Sequence, residues 1–292
     1  MRAATVASEI PPEHQQSFGG PASVTASMSR NVCLCLLAAA FLLPVIWMIA
    51  ASFDAHASWS LKFPSLTLKN YAAIMNATDL RTLYNSLYLA TVSTVIVILC
   101  AFLSAYVLSR YRVRFKHSIM LAVLFTSALP VTMLILPLYQ MYVELNWTDS
   151  LLTISLFLAG SSLPFAIWLL KNFIDQVPRE LEEAAALSGV STSRILLRVV
   201  IPLAFPGIAV TAIITFAASW GAFLVPLVLD TNQRDMPGAI AIYQFLGGSN
   251  GGVQFGSLAA YSLLFSLPVV ALYVAVARHI SGAFNLGGGV KG

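Results

Sequence analysis

Charged residues are scarce in this chain. Only 10% of its 292 residues are Asp, Glu, Lys or Arg, while 58% are hydrophobic, and the mean hydropathy is +0.82. Soluble globular domains have about 25% charged residues, so the composition excludes an ordinary soluble protein and indicates one that crosses a membrane several times. The net charge of +4 is therefore interpreted by position, because Lys and Arg mark the cytoplasmic loops of membrane proteins.

Cysteine and histidine are scarce as well. Cys33, Cys35 and Cys100 all lie in apolar segments, which argues against a disulfide framework. The four histidines are scattered, and no group of Cys and His has the spacing of metal ligands. The sequence therefore predicts no metal site and no cofactor in this chain.

Signatures of nucleotide binding and of catalysis are missing. The sequence has no G-x-x-x-x-G-K-[ST] phosphate loop and no G-x-S-x-G nucleophile motif. No acid or base lies in the middle of an apolar run, whereas ionisable residues inside the membrane usually mark proton or ion relays. We therefore predict that the chain is not an enzyme. If it moves a solute, the energy is expected to come from another protein.

Six apolar runs are long enough to cross a bilayer, which takes about 20 residues. The fold class is therefore predicted to be an all-α polytopic membrane protein whose membrane domain occupies residues 30–292. Residues 1–29, rich in Ser, Ala, Thr, Pro and Gly, are predicted to be a disordered cytoplasmic tail, and Met28 is an alternative translation start. The predicted spans are at about 31–53, 84–109, 118–142, 151–173, 203–229 and 257–278.

The basic residues predict the orientation of these spans. With the N-terminus in the cytoplasm, most of the 16 Lys and Arg residues, including the cluster at 110–116, fall on the cytoplasmic side. The connection at 143–150 contains two acids and no base. We therefore expect a multi-pass protein of the cell membrane with both termini and residues 175–202 in the cytoplasm. The glycine-rich run at 247–252 is then external, and it is interpreted as a flexible turn.

The segment 175–202 is unusually charged for this chain. Pro178 suits the first position of a helix, and the glutamates that follow it are favoured by the positive end of the helix dipole. Gly189 suits the left-handed residue that ends a helix, and Ser191 can cap a second one. A helix of about 12 residues is marginal in isolation, so we expect this helix-turn-helix to lean on another surface.

The spacing in this segment resembles the cytoplasmic E-A-A-x-x-x-G-x(9)-I-x-L-P loop of ABC importer permeases. Five residues match that motif: Glu183, Ala184, Ala185, Gly189 and Pro202. Conservative replacements stand at its Ile and Leu positions. The likeness covers residues 30–292 and is to the carbohydrate-uptake class, in particular to the second permease subunit of maltose importers. It is also supported by N-S-L-Y-L-A-T-V at 85–92, S-A-Y-V-L-S-R at 104–110, L-P-L-Y-Q at 136–140 and G-G-G-V-K-G at 287–292.

The resemblance implies that residues 175–202 hold a coupling helix that docks in a groove of a cytoplasmic ATPase. Leu181, Ala184, Ala185 and Ser188 share one side of that helix and are small enough to enter a groove. The alternatives are that the glutamates only solvate the loop, and that the C-terminal tail 279–292 is a frayed end rather than an ATPase contact. The predicted coupling residues are Glu182, Glu183, Ala184, Ala185, Gly189, Pro202 and Lys291.

A candidate substrate path lies in the fifth span. Polar and aromatic residues recur there every four positions, and sugars are bound by aromatic faces with hydroxyl groups nearby. Family members often have Asn after the tryptophan of this span, but here the residue is Gly221, so no role of that amide is carried over. Helix packing is the alternative, because small hydroxyl residues hold membrane helices together. The candidate residues are Thr211, Thr215, Ser219, Trp220 and Phe223.

By resemblance, the chain is predicted to have the type I ABC importer permease fold and to import a di- or oligosaccharide in a binding-protein-dependent system. The expected partners are a second homologous permease, two ABC ATPases that bind ATP and Mg, and an extracytoplasmic solute-binding protein; no nucleic acid is expected. One alternative is a permease for glycerol phosphate or a polyol. Another is a secondary carrier or channel without an ATPase, for which ionisable residues within the membrane would be expected.

Overall fold

The computed structural model describes residues 21–58, 65–230, 232, 234–247 and 252–287, with side chains described from residue 28 to residue 277 of these ranges. The described residues are almost entirely helical, and the only β-type pairing among them is an isolated bridge between Asp54 and Leu66. The helices are α1 Pro21–Ser52, α2 Lys69–Ile74, α3 Ala77–Arg110, α4 Lys116–Ser127, α5 Val131–Glu144, α6 Leu151–Asp175, α7 Arg179–Leu187, α8 Thr192–Ile195, α9 Ile201–Trp220, α10 Leu224–Leu229, α11 Gly238–Gln244 and α12 Phe255–Gly287. A π-helical turn, Leu196–Val200, joins α8 to α9.

Five of these helical segments are long and apolar enough to cross a membrane, and the bent pair of α4 and α5 would make a sixth. The five segments are Met28–Ser52, Ala77–Arg110, Leu151–Asp175, Thr192–Trp220 and Phe255–Ala277. The predicted all-α polytopic membrane fold is thus confirmed.

The third predicted span, 118–142, differs from a single straight helix. Helix α4 ends at Ser127, α5 begins at Val131, and their axes differ by 87°. Pro130 lies between them, and a proline both lacks an N–H donor and disfavours a helical conformation of the residue before it. The bend therefore follows from local backbone chemistry.

The fifth predicted span, 203–229, is interrupted as well. Helix α9 ends at Trp220, and the N–H of Gly221 donates to the carbonyl of Ala217 at 3.1 Å before α10 begins at Leu224. At the other end, Pro202 offers no N–H to the helix that precedes it. The wider hydrogen-bond spacing of the π turn accommodates this missing donor.

Both ends of the described chain are more helical than the sequence suggested. Helix α1 begins at Pro21, inside the predicted tail 1–29, since proline suits a first helical position. Helix α12 continues to Gly287 through most of the predicted tail 279–292, because extending an existing helix is easier than starting one. Residues 1–20, residues 248–251 of the predicted glycine turn, and residues 288–292 with Lys291 lie outside the described residues.

The chain divides into two compact units, residues 1–48 and 49–292, and the packing that follows belongs to the second. Its centre is formed by α3, α6 and α9. Small residues lie fully buried where these helices meet, among them Ala101, Ala105, Ala166 and Ala204, so the backbones approach closely. The same apolar cluster extends to Val177, Ile195 and Val200, and so the segment 175–202 rests on the centre of the fold.

Candidate functional site

Helix α7 lies in the segment 175–202 and ends in a defined turn. Gly189 has a φ angle of 77°. Its N–H donates to the carbonyl of Ala186 at 2.9 Å, and the N–H of Val190 donates to the carbonyl of Ala185 at 3.2 Å. These two hydrogen bonds form a Schellman motif, and the contact of Ala185 and Val190 with the same apolar cluster accompanies it. The turn fixes the direction in which the chain leaves α7.

Helix α7 has an inner and an outer face. Ala185 packs inward, and the side chain of Glu182 is only 12% exposed. On the outer face Leu187 is 90% exposed and Leu181 is 46% exposed, with Ala184 and Ser188 exposed beside them. The predicted face of Leu181, Ala184, Ala185 and Ser188 therefore needs correction at Ala185, which packs inward. Glu182, one of the predicted coupling residues, also points inward. Leu187 was missed, although its spacing from Leu181 and Ala184 places it on their side of the helix.

Four of the predicted coupling residues are exposed, namely Ala184 and Gly189 together with Glu183 and Pro202. Glu183 is exposed on α7 and forms no ion pair within the part of the chain that the structure describes. Pro202 is exposed in the first turn of α9. Together with Leu181, Ala184 and Leu187, Glu183 forms what we call the outer face of α7. It is an apolar surface with an acidic rim.

The inner side of α7 is held by an ion pair with α3. The Nε of Arg110 donates to Oε1 of Glu182 at 2.6 Å, and the hydroxyl of Tyr106 donates to Oε2 of the same carboxylate at 2.9 Å. Arg110 also donates from Nη2 to the carbonyl of Val177 at 2.8 Å. The side chains of Arg110 and Glu182 are 9% and 12% exposed, so water screens the pair little.

A second set of contacts surrounds Ser109 of α3. Its hydroxyl donates to Oδ1 of Asp175 at 2.5 Å, and its carbonyl accepts from Nη2 of Arg179 at 2.7 Å. Lys171 forms an ion pair with the other oxygen of Asp175. The last turn of α3 is thus bonded to the end of α6 and to the start of α7. These pairs were not predictable from the sequence, because Arg110 and Glu182 are 72 residues apart and no spacing rule relates them.

The hydroxyl stripe of the fifth span lies inside the packed helices. Thr211, Thr215 and Ser219 are at most 2% exposed. The hydroxyl of Thr211 donates to the carbonyl of Gly207 at 2.7 Å, and that of Thr215 donates to the carbonyl of Thr211 at 2.8 Å. Since these hydroxyls are used within their own helix, the arrangement favours the packing interpretation over substrate contact.

Trp220 is also a packed residue. It is 4% exposed, its Nε1 donates to the carbonyl of Phe265 at 2.9 Å, and its ring lies 4.9 Å from that of Phe265. Phe223 differs, because it is half-buried and stacks on Tyr243 with ring centroids 5.2 Å apart, and Tyr243 is largely exposed. Of the predicted path residues, Phe223 alone adjoins an open aromatic surface.

Replacing Trp220 by alanine is expected to destabilise the chain rather than to alter substrate response selectively. Loss of a buried tryptophan typically costs about 3–5 kcal/mol, whereas Trp220→Phe keeps the ring contact and loses one hydrogen bond, which costs about 1 kcal/mol. Thermal unfolding of the purified chain in detergent measures both, with Tyr273→Ala on an exposed aromatic as the control. Unchanged melting of Trp220→Ala with altered substrate stimulation would contradict the packing role.

In the described ranges, no group of three or more His, Cys, Asp or Glu residues is placed so that it could hold a metal ion. The arrangement at 175–202 combines an exposed apolar surface with hydrogen bonds and apolar contacts to the helical centre. Such an arrangement can transmit a movement.

Comparison with known proteins relates the chain to membrane transport proteins. Residues 97–282 match the family described as binding-protein-dependent transport system inner membrane component. The chain is 35% identical over 207 residues to the ABC transporter permease protein ORF1 of Streptomyces antibioticus. This alignment covers 71% of this chain and 89% of that protein. It is 28% identical over 261 residues to the trehalose/maltose transport system permease protein MalG of Thermococcus litoralis, covering 86% and 92% of the two chains.

The fold is shared with a solved transporter structure. A chain from the bacterial ABC transporter that imports the acidic polysaccharide alginate superposes with a TM-score of 0.77, covering 89% of this chain and 98% of that one. At 19% sequence identity the likeness concerns the fold alone.

Proposed function

This chain belongs to the family of binding-protein-dependent transport system inner membrane components, and from that membership we propose that it is one of two permease subunits in an ATP-driven importer of a di- or oligosaccharide. It is a transport subunit of an ABC system rather than a catalyst. It would form half of the translocation pathway, beside a second homologous permease. Two ABC ATPases would bind and hydrolyse ATP with Mg, and an extracytoplasmic binding protein would deliver the solute.

The observation that carries the proposal is the outer face of α7. Leu187 is 90% exposed at the end of a nine-residue helix and lies beside exposed Leu181 and Ala184. These residues form an apolar patch, and an apolar patch with a polar rim suits a contact with a partner. Small Ala184 beside Leu187 allows close approach, and Glu183 supplies a charge at the rim for a basic residue. A groove on a cytoplasmic ATPase fits this shape and charge.

The proposed orientation places α7 and both termini in the cytoplasm, as the distribution of basic residues suggests. Lys291 and the glycines before it would then lie on the same side as the ATPases. We propose the C-terminal residues as a second, smaller ATPase contact. Deleting residues 287–292 would in that case lower transport-coupled ATP hydrolysis without removing the outer face of α7.

The proposed substrate class rests on sequence similarity. The archaeal relative is named for trehalose and maltose transport, and the alignment covers nearly all of it. Neutral disaccharides suit a path without charges in the middle of the spans, whereas an anionic solute such as glycerol phosphate would be expected to meet Lys or Arg there.

Co-purification tests the proposal. We expect the tagged chain to recover a P-loop ATPase and a second permease when the genes beside its own are co-expressed. Glu183→Lys or Leu187→Asp should reduce the recovered ATPase at least about tenfold, because a buried unpaired charge in such a groove costs several kcal/mol. Leu68→Asp changes a leucine that is 68% exposed just before α2 and should leave recovery unchanged, because aspartate is favoured at the start of a helix.

Vesicles that contain the recovered complex identify the solute. Uptake of labelled trehalose or maltose in the presence of ATP is expected, and uptake of glycerol 3-phosphate instead would favour the other solute class. Disaccharide uptake by the chain without any ATPase would contradict the proposal and indicate a secondary carrier. Full ATPase recovery by both Glu183→Lys and Leu187→Asp would show that α7 is not the docking helix.

A further inference from the structure

Helix α7 is attached to the fold by more than its own chain connections. It follows α6 in sequence, yet its charged contacts are with α3, whose last turn lies 72 residues earlier. We call this set of contacts the α3–α7 lock. It consists of Tyr106, Ser109 and Arg110 on α3, Arg179 and Glu182 on α7, and the carbonyl of Val177.

The lock restrains α7 in several directions. Glu182 accepts from Arg110 at one carboxylate oxygen and from Tyr106 at the other, and these donors lie four residues apart on α3, on one side of that helix. Arg110 also binds the carbonyl of Val177 just before α7, while Arg179 in the first turn of α7 binds the carbonyl of Ser109. Sliding or rotating α7 relative to α3 would break charged hydrogen bonds, which are stronger than neutral ones.

The opposite end of α7 is held differently. The turn at Gly189 contacts the fold through the apolar side chains of Ala185 and Val190, and apolar contacts are non-directional. A force applied to the outer face of α7 would therefore be transmitted mainly through the hydrogen bonds of Arg179 and Glu182 to α3. Since α3 packs against both α6 and α9, this route leads directly to the centre of the helical bundle.

We propose that Arg110 and Glu182 are positioning residues that make α3 move together with α7, so that ATPase movement reaches the helical centre through α3. This inference rests on the proposed function, because it requires a partner that moves α7. Glu182 therefore acts inward on α3, while the adjacent Glu183 acts outward on the partner. The two neighbouring acids of α7 thus have separate roles.

The test uses the co-purified complex in vesicles and measures ATP hydrolysed per molecule of labelled trehalose or maltose imported. Arg110→Gln and Glu182→Gln are expected to keep the ATPase bound, because the outer face of α7 is intact. The amount of solute imported per ATP should fall about tenfold, within the usual range of coupling between sites. Tyr106→Phe keeps the ring and removes one hydrogen bond, and it should lower the ratio less, about threefold.

Matched variants separate coupling from a structural role. A double variant with Arg110→Glu and Glu182→Arg should restore part of the solute import per ATP that the single variants lose, since opposite charges again face each other. Arg112→Gln removes a charge from an exposed position two residues from Arg110 and should leave the ratio unchanged. Recovery of folded complex is measured for every variant, so that a ratio is compared only between assembled complexes.

The outcomes are distinct for the two proposals. A wild-type chain that captures no ATPase would overturn the proposed function, and this inference with it. An assembled complex in which Glu182→Gln and Tyr106→Phe import as much solute per ATP as the wild type would overturn the lock alone. If Arg110→Gln and Glu182→Gln lose bound ATPase to the same extent as they lose import, the proposed role of the lock is also overturned. The lock would then serve only to hold α7 folded.

Discussion

Replacing Gly189 by valine is expected to reduce uptake of the transported disaccharide at least about tenfold, while Gly189→Asn should stay close to the wild type. The φ angle of 77° at this position costs an ordinary L-residue about 1–2 kcal/mol. Asparagine tolerates this conformation better than other residues with a Cβ, and a β-branched residue tolerates it worst. The expected order of uptake is glycine, asparagine, alanine and then valine.

The reason lies in backbone conformation and not in space. A Cβ atom at Gly189 would meet nothing within 4 Å, so size alone would not harm the turn. If valine drives φ to negative values, the N–H groups of residues 189 and 190 leave the carbonyls of Ala186 and Ala185. Val190 then leaves the apolar cluster, the last turn of α7 frays, and Leu187 is no longer presented to a partner.

Two measurements check this order. ATPase recovery and ATP-driven disaccharide uptake should fall together in Gly189→Val, because the outer face of α7 is lost. Gly160→Ala, at a helical glycine of α6 that also has nothing within 4 Å, is the control for adding a methyl group where no left-handed backbone is needed. Equal uptake by the valine and asparagine variants would refute the role assigned to the left-handed turn.

The sequence predicted features that depend on neighbouring residues. Gly189 ends α7 as predicted, and six apolar runs correspond to the five long helices and the bent pair. Helix ends and apolar runs follow from short-range chemistry, which is visible in the order of residues. The lengths of α1 and α12 were underestimated, because polar helical ends beyond a membrane span have no apolar signal of their own.

Features that join distant residues were not predictable from the sequence. Glu182 lies on the inner side of α7, where it pairs with Arg110. This ion pair can form only when α3 and α6 have packed together. The stripe from Thr211 to Ser219 shows the same limit, since a period of four residues is expected both for a buried helical face and for one that lines a path. Burial of these hydroxyls, which requires the fold, distinguishes the two cases.

Gly207→Ala is expected to destabilise the fold by overpacking, because α6 and α9 touch at this residue. A Cβ atom there would lie 2.3 Å from Cγ and 2.5 Å from Cβ of Phe173, far inside van der Waals contact. The obstacle is the base of the side chain, so a rotamer change cannot relieve it. Overpacking of this kind costs about 1–3 kcal/mol or more, and we expect a lower melting temperature and poor recovery of folded protein in detergent.

A double-mutant cycle with Phe173 isolates the cause of that loss. In a Phe173→Gly background, Gly207→Ala should cost less, because the three nearest atoms to the new Cβ, all in the side chain of Phe173, are gone. The two substitutions should therefore be strongly non-additive. In a Phe173→Ala background most of the cost should remain, since the Cβ atom at 2.5 Å is still present. Equal costs of Gly207→Ala in all three backgrounds would mean that α9 does not approach α6 at Gly207, and the close packing that supports the segment 175–202 would have to be placed elsewhere.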